Sequence, residues 1–177
     1  MEDFIKIENY LANGSDGNIV KQPKNPLRGL LVLLVGIAVI VFSTQCSMPE
    51  TAQIASLSLG VLAALVGGMM LVLLSTSDCG GYRFKTTGAP LCRYRRYVAS
   101  DDRQRLIDSV SSADMRLLGD IHKESSTSTL LQAFVAKDGS YAVLQVEGYI
   151  PHDFVPRTAP VSLDKENASL LLQWLKN

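Results

Sequence analysis

Metal and redox chemistry in proteins depends on histidine and cysteine, and this chain has two histidines and three cysteines. Neither His122 nor His152 has a second histidine, cysteine or carboxylate at a spacing typical of zinc, and His152-Asp153 comes nearest to a site. Cys79 and Cys92 are 13 residues apart, which is not the Cys-x-x-Cys spacing of a redox pair. Phosphate-loop, dinucleotide and Gly-x-Ser-x-Gly motifs are missing from the sequence. We therefore expect no metal and no cofactor, and nothing in the sequence points to an enzyme.

A different chemistry is suggested by a basic stretch that alternates with aromatic residues. The basic residues are Arg83, Lys85, Arg93, Arg95 and Arg96, and the aromatic residues are Tyr82, Phe84, Tyr94 and Tyr97. Near a membrane surface, anionic lipid headgroups attract lysine and arginine by about 1 kcal/mol each. The stretch thus predicts a surface for anionic lipid, although membrane topology and a solvated strand face explain the same residues. Because 17 basic residues balance 17 acidic ones, nucleic acid is not an expected partner.

These basic residues follow two long apolar stretches that are separated only by Gln45, Cys46 and Ser47. Residues 29–44 would extend about 24 Å as a helix, and residues 48–76 more than about 35 Å. Asn25-Pro26 and the capping box at 47–50 are typical helix starts. The sequence predicts a transmembrane hairpin at 28–77, with spans of about 28–45 and 48–76.

The orientation of this hairpin follows from its flanking charges. Lys21, Lys24 and Arg28 precede the first span, the basic stretch follows the second, and the connection has no lysine or arginine. The positive-inside rule then places both termini in the cytoplasm of a multi-pass protein of the plasma membrane, which we take to be a bacterial inner membrane. Cys79 and Cys92 would lie in a reducing compartment, so we expect no intramolecular disulfide.

Small residues recur at every fourth position of the second span. They are Ala52, Ser56, Gly60, Ala64 and Gly68. Such a stripe allows another backbone to approach closely, and Ser56, Gly60, Ala64 and Gly68 are therefore the predicted helix-packing residues. The partner is either the first span, through Gly29 and Gly36, or the same face of another copy, and we favour the first span.

The soluble part is divided into an N-terminal segment and linker at 1–27 and a domain at 78–177. Phe4, Ile7 and Leu11 have helical spacing, so residues 2–11 predict a short amphipathic helix on the membrane, on the domain or on a partner, with a frayed tail as the alternative. Residues 14–24 are interpreted as a linker. The domain pattern predicts strands at 82–87 and 91–98, a helix at 100–113, a strand at 115–121 and a final helix capped by Asp164 or Ser162.

The clearest local pattern lies at 130–150, where Asp138-Gly139 predicts a two-residue hairpin turn. Pairing outward from it places Leu131, Ala133 and Val135 opposite Val146, Leu144 and Ala142 on a core face. The opposite face, with Gln132, Gln145 and Glu147, is expected to be half in water. The element order predicts an α+β domain built on a small antiparallel sheet.

Together these patterns favour a membrane-anchored, non-enzymatic module. A hairpin would hold a small cytoplasmic α+β domain at the inner leaflet, for binding a protein partner, for self-association or for assembly of a membrane complex. The alternative is a small oligomeric membrane channel or an accessory subunit of a transporter. An enzyme acting on lipid headgroups ranks third.

Overall fold

The computed structural model describes residues 4–14, 17–46 and 49–177, which form two compact units. One unit is the continuous segment Lys24–Ser77, and the other combines the chain up to Pro23 with Asp78–Asn177. The N-terminal segment is therefore part of the same unit as the C-terminal domain, although the whole hairpin separates them in sequence.

The continuous unit is a pair of helices, α2 at Leu27–Gln45 and α3 at Glu50–Thr76. Asn25 Oδ1 accepts a hydrogen bond from Leu27 N at 2.9 Å, as expected of a residue before a helix start. Lys24 Nζ donates to Leu74 O at 3.1 Å and to Ser77 O, so the two ends of this unit are adjacent. The capping box predicted at 47–50 includes Ser47 and Met48, which lie outside the described residues.

Both helices are long and apolar enough to cross a membrane. In the most apolar 18-residue window of each, only 17% of α2 and 11% of α3 is buried within the protein. The exposed side chains are leucine, valine, isoleucine, phenylalanine and methionine. A soluble core helix would have most of this surface covered.

The second unit is an α+β fold around one antiparallel sheet of eight strands. Its strands are β1 Ile19–Lys21, β2 Cys79–Phe84, β3 Pro90–Val98, β4 Lys123–Glu124, β5 Thr129–Ala136, β6 Ala142–Ile150, β7 Asp153–Pro156 and β8 Val161–Leu163. Its helices are α1 Ile7–Ala12, α4 Arg103–Ser112 and α5 Lys165–Lys176. The strand order is β1-β2-β3-β5-β6-β7, with β4 also paired to β3 and β8 to β6.

The predicted register of the β5–β6 hairpin is confirmed. Leu131, Ala133 and Val135 lie opposite Val146, Leu144 and Ala142, and all six belong to the main apolar core. The predicted two-residue turn is wrong, because the innermost backbone hydrogen bond joins Ala136 N to Tyr141 O at 2.8 Å. Residues 137–140 form the connection, with Gly139 at φ +70°.

Helices α4 and α5 cover this core face. Leu106 and Val110 of α4 and Leu171 and Leu175 of α5 are fully buried. The expected cap of the final helix is confirmed, since Asp164 Oδ1 accepts from Asn167 N at 3.0 Å. Burying the apolar stripes of two helices on one sheet face is the usual way in which an α+β fold closes its core.

Several elements differ from the sequence prediction. The strand expected at 82–87 is β2 at Cys79–Phe84, and the helix expected at 100–113 begins with a 3₁₀ turn at Ser100–Asp102 before α4. Residues Met115–Asp120 form a 3₁₀ helix rather than a strand, because Asp114 Oδ1 accepts from Arg116 N and the buried Met115 and Leu118 are three residues apart. The expected linker contains β1, which pairs with β2 in the register Ile19↔Phe84.

The second face of the sheet is also covered, so the expectation that it is half in water is wrong. Helix α1 packs on it, and its apolar residues form a second cluster together with Ile19 of the edge strand β1. The cluster contains Ile7, Leu11, Ile19, Leu91, Phe134, Ala136, Tyr141 and Val143. Apolar residues on both faces of β5 and β6 require this second layer.

Candidate functional site: a polar cleft beside the N-terminal helix

Three polar side chains of the β5–β6 hairpin lie on the face that α1 covers. Gln132, Gln145 and Glu147 have relative exposures of 1%, 0% and 4%. Buried polar groups are costly unless each finds a partner. Their hydrogen-bond partners therefore show which elements are joined at this face.

Gln145 connects α1 to the sheet. Its Oε1 accepts a hydrogen bond from Ile7 N at 2.8 Å, and its Nε2 donates to Ile5 O at 2.9 Å and to Thr158 O at 2.9 Å. The first of these bonds satisfies a backbone N–H that the start of a helix leaves without an intrahelical acceptor. Gln145 thus fixes the start of α1 against the β5–β6 hairpin.

Glu8 fixes the next turn of the chain. Its Oε1 accepts from Arg93 Nη2 at 2.6 Å and from Gln132 Nε2 at 2.6 Å. A carboxylate that shares one oxygen between a guanidinium and an amide is held by a charge-assisted bond. Arg93 and Gln132 come from neighbouring strands, so this contact joins α1, β3 and β5.

A more exposed ion pair joins the residue before α1 to strand β7. Lys6 Nζ lies 3.0 Å from Asp153 Oδ2, with side-chain exposures of 40% and 60%. The hydrogen bond between them raises the pKa of Lys6 and lowers that of Asp153. Such an exposed pair contributes little to stability, but it draws the chain before α1 toward the start of β7.

Glu147 is the exception among these groups. Among the residues described, no side chain forms a hydrogen bond or ion pair with its carboxylate. Burial raises the pKa of Glu147, and the charge of Glu8 raises it further, whereas Arg95, Lys6 and Arg93 oppose the shift. Two buried atoms near it also lack a hydrogen-bond partner among the described residues, Glu8 Oε2 and Arg93 Nε.

The open space beside Glu147 is a cleft of about 290 Å³. It is lined by Lys6, Glu8, Asn9, Arg93, Arg95, Gln132, Glu147, Asp153 and Phe154. Three cationic and three anionic side chains therefore share one small opening. The arrangement is suited to holding a polar ligand.

The five basic residues predicted to form one lipid surface do not share a face. Arg93 and Arg95 lie on the α1 face of β3, whereas Arg96 donates to Leu175 O at 2.8 Å at the end of α5, on the opposite face. Neighbouring residues of a strand point to opposite faces, but Arg93, Arg95 and Arg96 still line one open pocket beside Asp78, so the lipid surface stays a prediction. Arg83 and Lys85 are exposed at β2 and just beyond it.

The expected absence of a disulfide is also wrong, because Cys79 and Cys92 are bonded to each other. They are direct partners in the β2–β3 ladder, with Cα atoms 4.0 Å apart. The expectation rested on the assumed reducing compartment. Sheet register, which that argument did not consider, brings the two cysteines together. Cys46 is free.

The predicted helix-packing residues lie partly at the α2–α3 contact. Ser56 Oγ and Ser43 Oγ are 2.7 Å apart, and a Cβ at Gly60 would lie 2.8 Å from Ile40 Cγ1. Ala64 meets Gly36, where a Cβ would collide with the Ala64 backbone.

Gly68 is not at this contact. No described atom lies within 4 Å of a Cβ placed there, whereas one at Gly67 would collide with the backbone of Leu33. At about 100° per residue, Gly67 lies about 20° around the helix from Ser56, and Gly68 about 120°. The four-residue stripe rotates away from the contact, and Gly67 replaces its last member.

The two histidines take part in local structure. Asp102 is buried and accepts from His122 N at 2.9 Å, and His122 Nδ1 lies 3.0 Å from the same oxygen. These bonds hold the pKa of Asp102 below its usual value. His152 occupies the turn between β6 and β7 at φ +75°. Within the described residues, no three histidine, cysteine or carboxylate side chains are placed to hold a metal.

Sequence reasoning missed the cleft because Gln132, Gln145 and Glu147 were interpreted as a solvated face. A signal was nevertheless present, since Phe134 and Val143 belong to that same face and needed a cover. Comparisons with protein-family models, with curated proteins and with solved structures found no match to this chain.

Proposed function

We propose that this protein is a membrane-anchored, non-enzymatic module. Helices α2 and α3 cross the bilayer twice as a hairpin, and the α+β unit is held at the membrane surface. There it binds a protein partner or assists assembly of a membrane complex.

The observation that carries this proposal is that two separate segments of the chain build the α+β unit. The chain leaves that unit at Pro23 and returns at Asp78, and both flanks contribute to one sheet through the β1–β2 pairing. A segment that connects two parts of one water-soluble fold must begin and end on the same side of a membrane. Two spans satisfy this requirement, and their exposed apolar surface supports insertion.

The flanking charges support a cytoplasmic location for the α+β unit. Lys21, Lys24, Arg28 and the basic residues beyond Thr76 flank the hairpin, and no lysine or arginine lies at its tip. The Cys79–Cys92 disulfide favours the other orientation, because disulfides are rare in the cytosol. Charge bias decides insertion directly, so the proposal follows the charges.

Labelling of Cys46 tests the topology, since this free cysteine lies at the hairpin tip. In spheroplasts it should react with a membrane-impermeant maleimide, and a cysteine substituted at Ser126 of the α+β unit should not. Protection of Cys46 together with labelling of Ser126→Cys would reverse the orientation and leave two spans. Labelling of both positions would contradict the membrane hairpin itself.

A further inference from the structure

The charges that line the cleft do not all have partners. Lys6 pairs with Asp153, and Arg93 pairs with Glu8. Among the described residues, the guanidinium of Arg95 makes no ion pair or side-chain hydrogen bond. The carboxylate of Glu147 likewise makes no ion pair or side-chain hydrogen bond with a described residue. One cation and one anion are therefore left facing the same opening.

The two unpaired groups differ in how much they need a partner. Arg95 is exposed, so water solvates its guanidinium at little cost. Glu147 is only 4% exposed, and its carboxylate faces the cleft, where it is partly desolvated without gaining a hydrogen bond. A positively charged group in the cleft would supply the missing interaction, and Arg95 would then remain for a negatively charged one.

The cleft is open to solvent, and its walls offer space for a small occupant. A volume of about 290 Å³ corresponds to about ten water molecules, or to a small metabolite. Phe154 forms the apolar part of the wall, and Tyr97 and Tyr149 fix its ring at centroid distances of 6.1 and 5.4 Å. A short aliphatic stem between two charged ends would contact this ring.

We propose that the cleft binds a small zwitterion, a molecule with a primary ammonium and a carboxylate on a short carbon chain. The ammonium lies against Glu147, the carboxylate against Arg95, and the stem against Phe154. Because every lining residue belongs to the α+β unit, this inference does not rest on the proposed membrane anchoring.

The experiment uses the full chain purified in a mild non-ionic detergent, with binding measured by calorimetry. The probes are glycine, 4-aminobutyrate and 6-aminohexanoate, which separate the two charges by increasing lengths. Butyrate and butylamine each lack one charge of 4-aminobutyrate. At least one zwitterion should bind about tenfold more tightly than either single-charge analogue, a difference of about 1.4 kcal/mol.

Variants assign the two ends of the ligand. Glu147→Gln and Arg95→Gln should each weaken zwitterion binding by about tenfold or more. Arg116→Gln is the matched control, because Arg116 is an exposed arginine paired with Glu166 away from the cleft, and its affinity should be unchanged. Thermal unfolding by Trp174 fluorescence verifies that each variant is folded.

Three results would overturn the proposal. One is that no zwitterion of the series binds to the folded protein. Another is that butylamine binds as tightly as the best zwitterion and Arg95→Gln has no effect, which would define a site for a cation alone. The third is that folded Glu147→Gln retains full affinity.

Discussion

Glu147 is the residue whose removal should change stability in an unusual direction. Its folded-state pKa is raised, so its contribution favours the fold below the unfolded pKa and is lost as the pH rises through the folded value. Glu147→Gln should therefore raise the unfolding temperature at about pH 8, and this gain should disappear as the pH falls toward the ordinary range of glutamate.

The unfolding temperature can be followed in the full chain through Trp174, the single tryptophan, which lies in α5. Glu124→Gln is the control, since this glutamate is exposed in β4. Its effect should be small at every pH. A Glu147→Gln variant that is less stable than the native chain at about pH 8 would mean that the cleft stabilises the charged carboxylate.

At Gln145, strand alternation and the observed contacts predict different effects of a substitution. From alternation alone, Gln145→Ala should be silent while Leu144→Ala is costly. The amide of Gln145 is fully buried and makes three hydrogen bonds, so its removal should also destabilise the fold, by about 1–3 kcal/mol.

At the scale of elements, α1 should behave as part of the α+β fold rather than as a tail. Ile7 is fully buried, and Ile7→Ala should lower the free energy of unfolding by about 2–5 kcal/mol. Ile5 is 58% exposed, and Ile5→Ala should change it by less than about 0.5 kcal/mol. Denaturant unfolding monitored by Trp174 fluorescence measures both.

The position of Trp174 makes this test selective. It packs against the main core on the face opposite α1, so it responds to Ile7→Ala only when the two layers unfold together. An unchanged Trp174 transition, with α1 released from the sheet, would show that the N-terminal segment docks as an independent piece.

For the helix pair, two adjacent glycines give a matched comparison. Gly67→Leu should force α2 and α3 apart and cost about 1–3 kcal/mol, because its side chain would meet the backbone of Leu33. Gly68→Leu should have little effect. Titration with dodecyl sulfate, followed by circular dichroism, compares the two variants, and equal resistance would contradict the packing observed here.

The elements that sequence predicted well are those whose signal is local. The β5–β6 register follows from two-residue alternation, and α5 from its cap and apolar stripe. The cover of the second sheet face was not predictable in the same way, since the contact between Ile7 and Gln145 joins residues 138 positions apart. The cleft depends on that contact, so its polar residues resembled a solvated edge.

At the scale of the whole molecule, the order of the chain makes the α+β unit dependent on the hairpin. Helix α1 and strand β1 are synthesised before α2 and α3, and strands β2 to β8 of the same sheet are synthesised after them. The unit cannot close its second core until both helices have been placed. Long-range contacts of this kind are formed late in folding.

The Cys79–Cys92 bond links the stability of this unit to the compartment in which it lies. A cross-link that closes a loop of this length contributes about 3 kcal/mol in the chain-entropy model, so reduction should lower the unfolding temperature reported by Trp174. If the unit is cytoplasmic, glutathione and thioredoxin keep both thiols reduced, and the bond forms only under oxidising conditions.

Alkylation of acid-quenched cells therefore gives the last prediction. With both flanks in the cytoplasm, Cys79 and Cys92 should be recovered as free thiols from growing cells and as a disulfide after treatment with diamide. Cys46→Ser should leave this pattern unchanged, because Cys46 takes no part in the bond. Complete recovery of the disulfide from untreated cells would place the α+β unit on the oxidising side of the membrane. The lysine and arginine residues that flank the hairpin would then belong to the surface of the folded α+β unit and would not report the topology.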